Sequence, residues 1–514
     1  MPVVQQGSIN TAALTIPDAY VQIQQPPILI NGLPTNILGV VGTATWGPVN
    51  SPVTLGDLRS AILAFGQPQN RKYDLLTGIW AAALQGANNF RAVRVTDGTD
   101  VAASIAVKDI TTPTAVTGLT LTAKYTGSLG NSLVATVATG SAANTYKITI
   151  AMPGYVPEVF DNIGGTGATF WTNAVSAINN GTGPLRPASS LVVATIGTST
   201  TTPALASVTL TGGTDGATTI TGSVLIGQDT SPRHGMYCLR NTGASVAFLA
   251  DCDDSTTWSA QEAYGLSEGT YMVGAGPAGD TITNALSAKS TAGIDSYAFK
   301  LMFGDWVYFN DTVNQTVRLI SPQGFVAGVM ANLAPQNSSL NKQIYGVVGT
   351  QKSYANQIYS SADLQQLGQA GIDLITNPIP AGNMFGARFG HNSSSNFAIH
   401  GDNYTRMTNF LAYTLNAAMG LFVGKLQSQQ TNDSTRAAVK ATIDNFLQVL
   451  VQQGMIDSFQ TQCDLGNNLA QRIAAGYLQV DVKVVYLSVV EYLIVNLQGG
   501  QSVTISRSNT APAA

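Results

Sequence analysis

The sequence is poor in charged side chains. Of its 514 residues, 24 are Lys or Arg and 28 are Asp or Glu, which together make 10% of the chain, against roughly 25% in ordinary soluble domains. The formal net charge is −4, and no cluster of basic residues is present. Because proteins that bind nucleic acid contact its phosphates through clustered Lys and Arg, this composition argues against direct nucleic-acid binding.

Histidine and cysteine are also scarce, and both bear on metal chemistry. The three histidines are too scattered for a zinc site: His234, His391 and His400. The three cysteines are an odd number without metal-ligand spacing: Cys238, Cys252 and Cys463. The cysteines fit a reducing compartment and are expected to be small core residues. The sequence therefore predicts no metal site.

No long apolar run is free of charge. Residues 1–10 have neither a basic region nor an apolar core, so we expect no secretory signal. The apolar stretch 480–497 is interrupted by Asp481, Lys483 and Glu491, so we expect no membrane insertion. The protein is expected to be made and assembled in a cytoplasm.

The chain is rich in apolar and neutral polar residues instead. Hydrophobic residues reach 44%, which is enough to bury a core, and glycines number 52. A surface covered mainly by neutral polar groups has little electrostatic repulsion to oppose self-association. The composition therefore favours a protein that contacts copies of itself.

The order of predicted elements indicates a multidomain α/β (α+β) fold. A buried strand within 28–41, helices at 55–65 and 73–85 and a strand at 90–96 begin a mixed α/β core. After residue 99 the chain becomes rich in Thr, Ala, Gly and Ser with short β-branched runs, typical of an inserted β-rich domain with one helix at 170–180. The predicted units are an N-terminal arm (1–30), a first core segment (31–98), the inserted domain (99–220), an α/β domain (221–360), a C-terminal inner domain (361–497) and a C-terminal arm (498–514).

Each predicted arm contains a short alternating segment typical of a strand. The N-terminal candidates are Tyr20, Val21 and Ile23. The C-terminal candidates are Val503 and Ile505, which follow Gly499 and Gly500. A terminal strand either completes its own sheet or adds to the exposed edge of a neighbour, and the sequence leaves both open.

The segment 434–453 has an apolar stripe at helical spacing, formed by Val439, Ile443, Phe446, Leu447 and Leu450. Arg436 and Lys440 lie one turn apart on another side of this helix. Both a solvated face and a contact with an acidic partner surface are open for this pair. The alternating residues 478–486 predict a strand near the C-terminus.

Three motifs resemble chemical sites, and each has a simpler structural interpretation. Gly265–Gly269 has the spacing of a nucleophile elbow, but a helix precedes it where a strand is needed. Asp251, Asp253, Ser255 and Glu262 have the spacing of calcium ligands, but Thr256 stands where the loop needs Gly. We expect Asp253 or Asp254 to cap the following helix instead.

The third motif, Gly274–Gly279, fits the dinucleotide fingerprint between a strand and a helix. Asp295 and Asp305 straddle the position expected for a ribose-binding acid. The simpler interpretation is a tight turn with Asp280 in the first helical turn. We therefore predict no catalytic residues and no cofactor.

Eight segments of the chain, taken in order, match the motifs of one known family. These segments are 17–23 (PDAYVQI), 40–52 (VVGTATWGPVNSP), 65–66 (FG), 88–95 (NNFRAVRV), 125–133 (YTGSLGNSL), 210–216 (LTGGTDG), 321–331 (SPQGFVAGVMA) and 403–424 (NYTRMTNFLAYTLNAAMGLFVG). Together they resemble the sheath proteins of contractile bacteriophage tails, particularly those of Mu-like phages. Asp18 departs from the usual Pro-Gly of the opening, and 335–342 match the usual "SPAN" segment poorly.

This resemblance implies a structural protein of the virion tail rather than an enzyme. Sheath subunits stack as rings of six around a tail tube and contract to drive the tube through the host envelope. The implied partners are other copies of the chain, the tube, and baseplate and tail terminator proteins. The arms would add strands to a neighbour's C-terminal sheet with Gly499 and Gly500 as a hinge, and Arg436 and Lys440 would contact the tube.

Two other functions remain open from the sequence. A shell or surface-layer protein would form flat sheets or closed shells rather than tubes. A nucleotide-binding enzyme would use the Gly274–Gly279 loop.

Overall fold

The computed structural model describes residues 3–6, 20–23, 30 and 32–497. At the N-terminus, β1 (Val3–Gln6) and β2 (Tyr20–Ile23) form a parallel pair. The rest of the described chain contains a central α/β unit, a β-rich insertion and a C-terminal helical unit with a strand pair. The mixed α/β class predicted from the sequence is confirmed.

The central unit is built on one seven-stranded sheet with the order β19-β15-β14-β13-β3-β5-β4. All neighbours are parallel except β4, which is antiparallel to β5. The inner strands are continuous buried runs, as expected of a sheet covered on both faces. The strands are β3 (Leu38–Gly42), β4 (Pro52–Leu55), β5 (Phe90–Arg94), β13 (Val246–Leu249), β14 (Tyr271–Ala275), β15 (Phe299–Met302) and β19 (Ile372–Asp373).

Helices cover both faces of this sheet. Because side chains alternate along a strand, Val40 and Val41 of β3 point into different apolar clusters. The Val40 side is covered by α1 (Leu58–Phe65), α2 (Leu75–Ala83) and α7 (Gln323–Asn332). The Val41 side is covered by α5 (Trp258–Glu268), α6 (Ile282–Ala292) and α9 (Ser361–Gln369).

Aspartate side chains cap the first turns of α1 and α2, and these caps determine where the two helices begin. The side chain of Asp57 accepts the amide of Ser60 at 2.7 Å and starts α1, so the residues before it are free to form β4. Asp74 caps α2 in the same way through the amide of Thr77 at 2.9 Å. Within the segment 28–41 predicted to hold a buried strand, β3 begins at Leu38, and the described residues 32–37 before it form no strand.

The β-rich insertion contains two antiparallel sheets, with the orders β10-β9-β8-β12 and β11-β7-β6. Both contribute to one apolar cluster around Trp171 and Phe170 of helix α3 (Ala168–Asn180). Gly118 lies under Trp171, where a Cβ would be 2.1 Å from the indole ring. The strands are β6 (Ser104–Lys108), β7 (Thr117–Ala123), β8 (Val134–Thr139), β9 (Tyr146–Ala151), β10 (Glu158–Ile163), β11 (Val192–Ile196) and β12 (Ser207–Thr209).

Smaller elements complete the central unit. A three-stranded sheet with the order β17-β16-β18 packs at the end of α2, where Trp80 meets Phe309 edge to face. These elements are β16 (Val307–Asp311), β17 (Thr316–Ile320), β18 (Val347–Thr350), the short pair β20 (Ile375–Thr376) and β21 (Gly386–Ala387), and the short helices α4 (Gly222–Ile226) and α8 (Gln351–Tyr354).

The C-terminal unit has its own apolar core. Phe410 and Leu411 pack against Phe446 and Leu447, and the two helices that carry them also support a strand pair. The elements are α10 (Asp402–Met419), α11 (Ser434–Gln452), β22 (Ile456–Gln462), α12 (Ala470–Ala474) and β23 (Asp481–Tyr486).

Candidate assembly surface

The strand pair of the C-terminal unit has two open edges. β22 and β23 are antiparallel, with Phe459 opposite Val484, and each pairs with no other strand in the described part of the chain. One face packs on α11 through Phe459, Val482 and Val484. The backbone N–H and C=O groups along the outer edges can therefore pair with a further strand from another chain.

The chain that follows β23 exposes apolar side chains. Residues 487–497 form no helix or strand, and Tyr492 is 83% exposed and Leu497 89% exposed. Contiguous exposed apolar side chains on a soluble protein mark an interaction site. The other large exposed apolar residues of this segment are Val490, Leu493, Ile494 and Val495.

The sequence reasoning did not identify this segment as a contact surface. The sequence predicts a strand over 478–486, no membrane span over 480–497 and a C-terminal arm from residue 498, and so gives residues 487–497 no contact role. The signal was present, because Val490 to Leu497 is an almost uninterrupted apolar run directly after a predicted strand. Among the described residues, no helix is both long and apolar enough to cross a bilayer.

The strand candidates of the arms are only partly described. Tyr20, Val21 and Ile23 lie in β2, in register with β1, so the predicted strand at this place is confirmed. Their contact with another subunit stays a prediction. Val503, Ile505, Gly499 and Gly500 lie outside the described residues.

The two basic residues of α11 are placed differently from each other. Arg436 is 2% exposed, and its guanidinium donates to the carbonyl oxygens of Ser428 and Gln430 in the loop before the helix. The exposed position assumed for Arg436 was therefore wrong, because its guanidinium is buried where it donates to these loop carbonyls. Lys440 is half-exposed and pairs with Asp444 at 2.6 Å.

A buried ionic network fixes the C-terminal unit to the central sheet. Lys300 of β15 donates to Asp373 at 2.7 Å and to Asp402 at 3.1 Å, and all three side chains are fully buried. Tyr271 of β14 also donates to Asp402, at 2.6 Å. Because Asp402 opens α10, this network sets where the C-terminal helix leaves the sheet.

For Lys300 and Asp373, the partners in this network outweigh the effect of burial on the pKa. Burial by itself lowers the pKa of Lys300, but the two carboxylates outweigh it and hold the pKa above its ordinary value. Burial would raise the pKa of Asp373, but Lys300 and the amides of Phe389 and Gly390 hold it below its ordinary value. Nearby His391 has no such partner on Nε2, and burial lowers its pKa to about 4.

The three sequence motifs do not form chemical sites. Ser267 lies inside α5 and Gly269 is the left-handed residue that ends this helix, so Gly265–Gly269 is a helix end and not an elbow. Asp254 accepts the amide of Thr256 at 3.0 Å and caps the turn before α5, as expected for one of the two candidate aspartates. In the described part of the chain, no group of three or more His, Cys, Asp or Glu side chains could hold a metal ion.

The Gly274–Gly279 loop follows β14, but its amides are engaged within the chain. The amide of Gly276 donates to Met302 O at 2.9 Å, and that of Gly279 donates to Gly304 O and to Gln351 Oε1, each at 2.8 Å. A dinucleotide fingerprint works by presenting free amides to a pyrophosphate. The loop instead closes the end of the sheet.

Comparison with known proteins identifies the class. Residues 394–498 match the family model of the phage tail sheath C-terminal domain. No curated protein matches the chain. Among solved structures, a sheath tail protein from Listeria innocua has a TM-score of 0.61 at 14% identity, covering 89% of this chain and 96% of that one.

Two further structures show the same likeness. A sheath tail protein from Desulfitobacterium hafniense has a TM-score of 0.58 at 16% identity, covering 87% of this chain and 93% of that one. The PVC sheath complex of an extracellular contractile injection system, in its contracted state, has a TM-score of 0.53 at 13% identity, covering 96% and 99%.

The chain thus has the fold of tail sheath proteins. Residues 394–498 match the family model of the phage tail sheath C-terminal domain, and the predicted resemblance to sheath proteins is confirmed. The narrower likeness to Mu-like phages stays a prediction.

Proposed function

We propose that this chain is the subunit of a contractile tail sheath, in which hexameric rings stack around a tail tube. Contraction of this sheath would drive the tube through a host cell envelope. The observation that carries the proposal is the open-edged β22–β23 pair next to an exposed apolar segment, both within a sheath-type C-terminal domain.

Strand addition supplies links that suit a moving assembly. An arm that pairs with β22 or β23 satisfies backbone N–H and C=O groups without side-chain charge. The proposed arms are residues 1–23, through Tyr20, Val21 and Ile23, and residues 487–506, through Val503 and Ile505. Gly499 and Gly500 would take up the change of angle between neighbours.

Contraction requires a second arrangement that buries more surface. If each subunit hid about 500 Å² more apolar surface, the gain would be on the order of 10 kcal/mol before ordering costs. A surface with 10% charged residues suits this burial, because few charges lose their hydration. Summed over many copies, the gain would provide mechanical work.

The proposed partners follow from this architecture. They are other copies of the chain, a tail tube, and baseplate and terminator proteins at the two ends of the sheath. The protein would be a component of the virion tail, assembled in the host cytoplasm. Of the two residues considered for the tube, Lys440 stays a proposed contact, and Arg436 is committed to its own loop.

Electron microscopy of the purified protein tests the proposal. We expect open cylinders with a wide lumen, whereas flat sheets or closed shells would favour a surface-layer or shell protein.

Deleting residues 498–514 should leave a soluble monomer with an unchanged melting temperature that forms no cylinders. Deleting only 511–514, which keeps Val503 and Ile505, is the matched control and should still assemble. Aggregation of the longer deletion, with loss of cooperative melting, would mean that these residues belong to the subunit's own core.

A further inference from the structure

The exposed C-terminal segment is attached to its own subunit near its start. Asn403 Nδ2 donates to the carbonyl oxygen of Leu487 at 3.0 Å. His400 Nε2 lies 3.0 Å from Glu491 Oε1, with the His400 side chain 14% exposed. Both His400 and Asn403 flank the first residue of α10, which the buried Lys300–Asp402 contact fixes to the sheet.

The hydrogen-bond contacts between this segment and its own subunit stop at Glu491. Residues 492–497 are exposed, and the described hydrogen bonds include none from them. Glu491 and Tyr492 lie at the rim of a cavity of about 570 Å³ that is also lined by Phe389, His391 and His400. Tyr492 is 83% exposed and does not fill this cavity, so the two contacts at Leu487 and Glu491 set the direction in which the chain leaves the subunit.

We propose that His400 and Asn403 are positioning residues for assembly, holding Leu487 and Glu491 so that residues 492–497 leave in one direction. This inference rests on the proposed sheath function. An arm that already points along its docking direction loses less conformational freedom on binding a neighbour. The surroundings support the assignment, since the His400 ring packs edge to face with Phe397, with 5.3 Å between ring centroids, which holds the ring where its Nε2 meets the Glu491 carboxylate.

A distance measurement on the unassembled protein tests positioning directly. Spin labels at Gln365→Cys on α9 and Asn496→Cys in the segment report the exit direction, and the three native cysteines are buried. We expect a narrow distance distribution in the parent and a broad one in Glu491→Lys, which places a cation against His400. The double variant His400→Glu with Glu491→Lys should restore the narrow distribution. An unchanged distribution in Glu491→Lys overturns the proposal.

Assembly gives the second measurement. Glu491→Lys should raise the protein concentration needed for cylinders roughly twofold to fivefold, the effect of losing one partly exposed polar contact, and the double variant should reverse it. Arg233→Gln is the matched control, since it removes one exposed ion pair, that with Asp229, far along the chain from the segment. Assembly of Glu491→Lys at the same or a lower concentration contradicts the proposal. If the parent itself forms no cylinders, the sheath function fails, while the distance measurement still decides the positioning role.

Discussion

At the scale of single residues, two buried charged side chains lie where units of the chain meet. Lys300 joins the central sheet to Asp402 of the C-terminal unit. Arg94 at the end of β5 donates to Thr126 O, at 2.6 Å, and to Asp215 O, both in the β-rich insertion. An unpaired buried charge is costly, so each network tolerates one arrangement of the two units and rejects others.

His391 next to the Lys300 network makes stability dependent on pH. Its pKa is about 4 in the folded protein and about 6.5 when unfolded, so the unfolded chain binds the proton first as the pH falls. We expect the folded protein to lose about 3 kcal/mol relative to His391→Gln between pH 6.5 and pH 4.

Urea unfolding of the parent and of His391→Gln across this pH range measures the difference. The comparison is needed because Asp251, whose burial raises its pKa to about 6, acts in the opposite direction in both proteins. Parallel curves for the two proteins would contradict the prediction.

At the scale of elements, α11 supports the surface proposed for strand addition. It begins where the side chain of Asp433 accepts the amide of Arg436 at 2.8 Å. Its inner side packs on α10 and on the inner face of β22–β23, and its outer side is partly solvated. The geometry of the open strand edges therefore depends on how well α11 is packed.

Leu447→Ala should lower the free energy of unfolding of the C-terminal unit by about 2–5 kcal/mol, because Leu447 is fully buried and its removal leaves a cavity. Val449→Ala on the same helix is the control, since Val449 is 43% exposed and should cost about 0.5 kcal/mol or less. Differential scanning calorimetry measures both, and equal losses in the two variants would contradict the assigned face of α11.

At the scale of the whole molecule, the β-rich insertion enters and leaves the central unit at one place. The hydroxyl of Thr214 donates to Thr99 O at 2.9 Å, and the amide of Asp97 donates to Gly216 O at 2.8 Å. A segment whose two ends meet can be removed without separating the strands on either side of it. These contacts support the proposed insertion over 99–220.

Replacing residues 100–213 by two glycines should therefore leave a folded central unit. The variant keeps Asp215, which pairs with Arg71 at 2.6 Å, but exposes Trp46, which packs in the insertion's cluster. We expect a cooperative thermal transition at a lower temperature, measured by calorimetry and circular dichroism. A non-cooperative melt would show that the insertion and the central unit fold as one.

The sequence predicted elements well where local pattern and packing agree. The alternating β-branched runs of the insertion, the apolar stripe of α11 and the alternation through β23 all correspond to described elements. The errors lie where a contact distant in sequence decides. Arg436 was expected on an exposed face, and only the loop carbonyls of Ser428 and Gln430 explain its burial.

Composition and periodicity by themselves determined that this chain is charge-poor and mixed α/β. The tertiary structure alone decided which strand edges are open and which apolar residues face solvent. The alternation of side chains along a strand determines which of them share a face. Whether a strand edge is open depends on whether another strand of the folded chain pairs with it. Whether an apolar face is buried depends on which other element packs against it. Residues 487–497 show the difference, since their apolar run fits a core equally well, and the folded chain leaves them exposed.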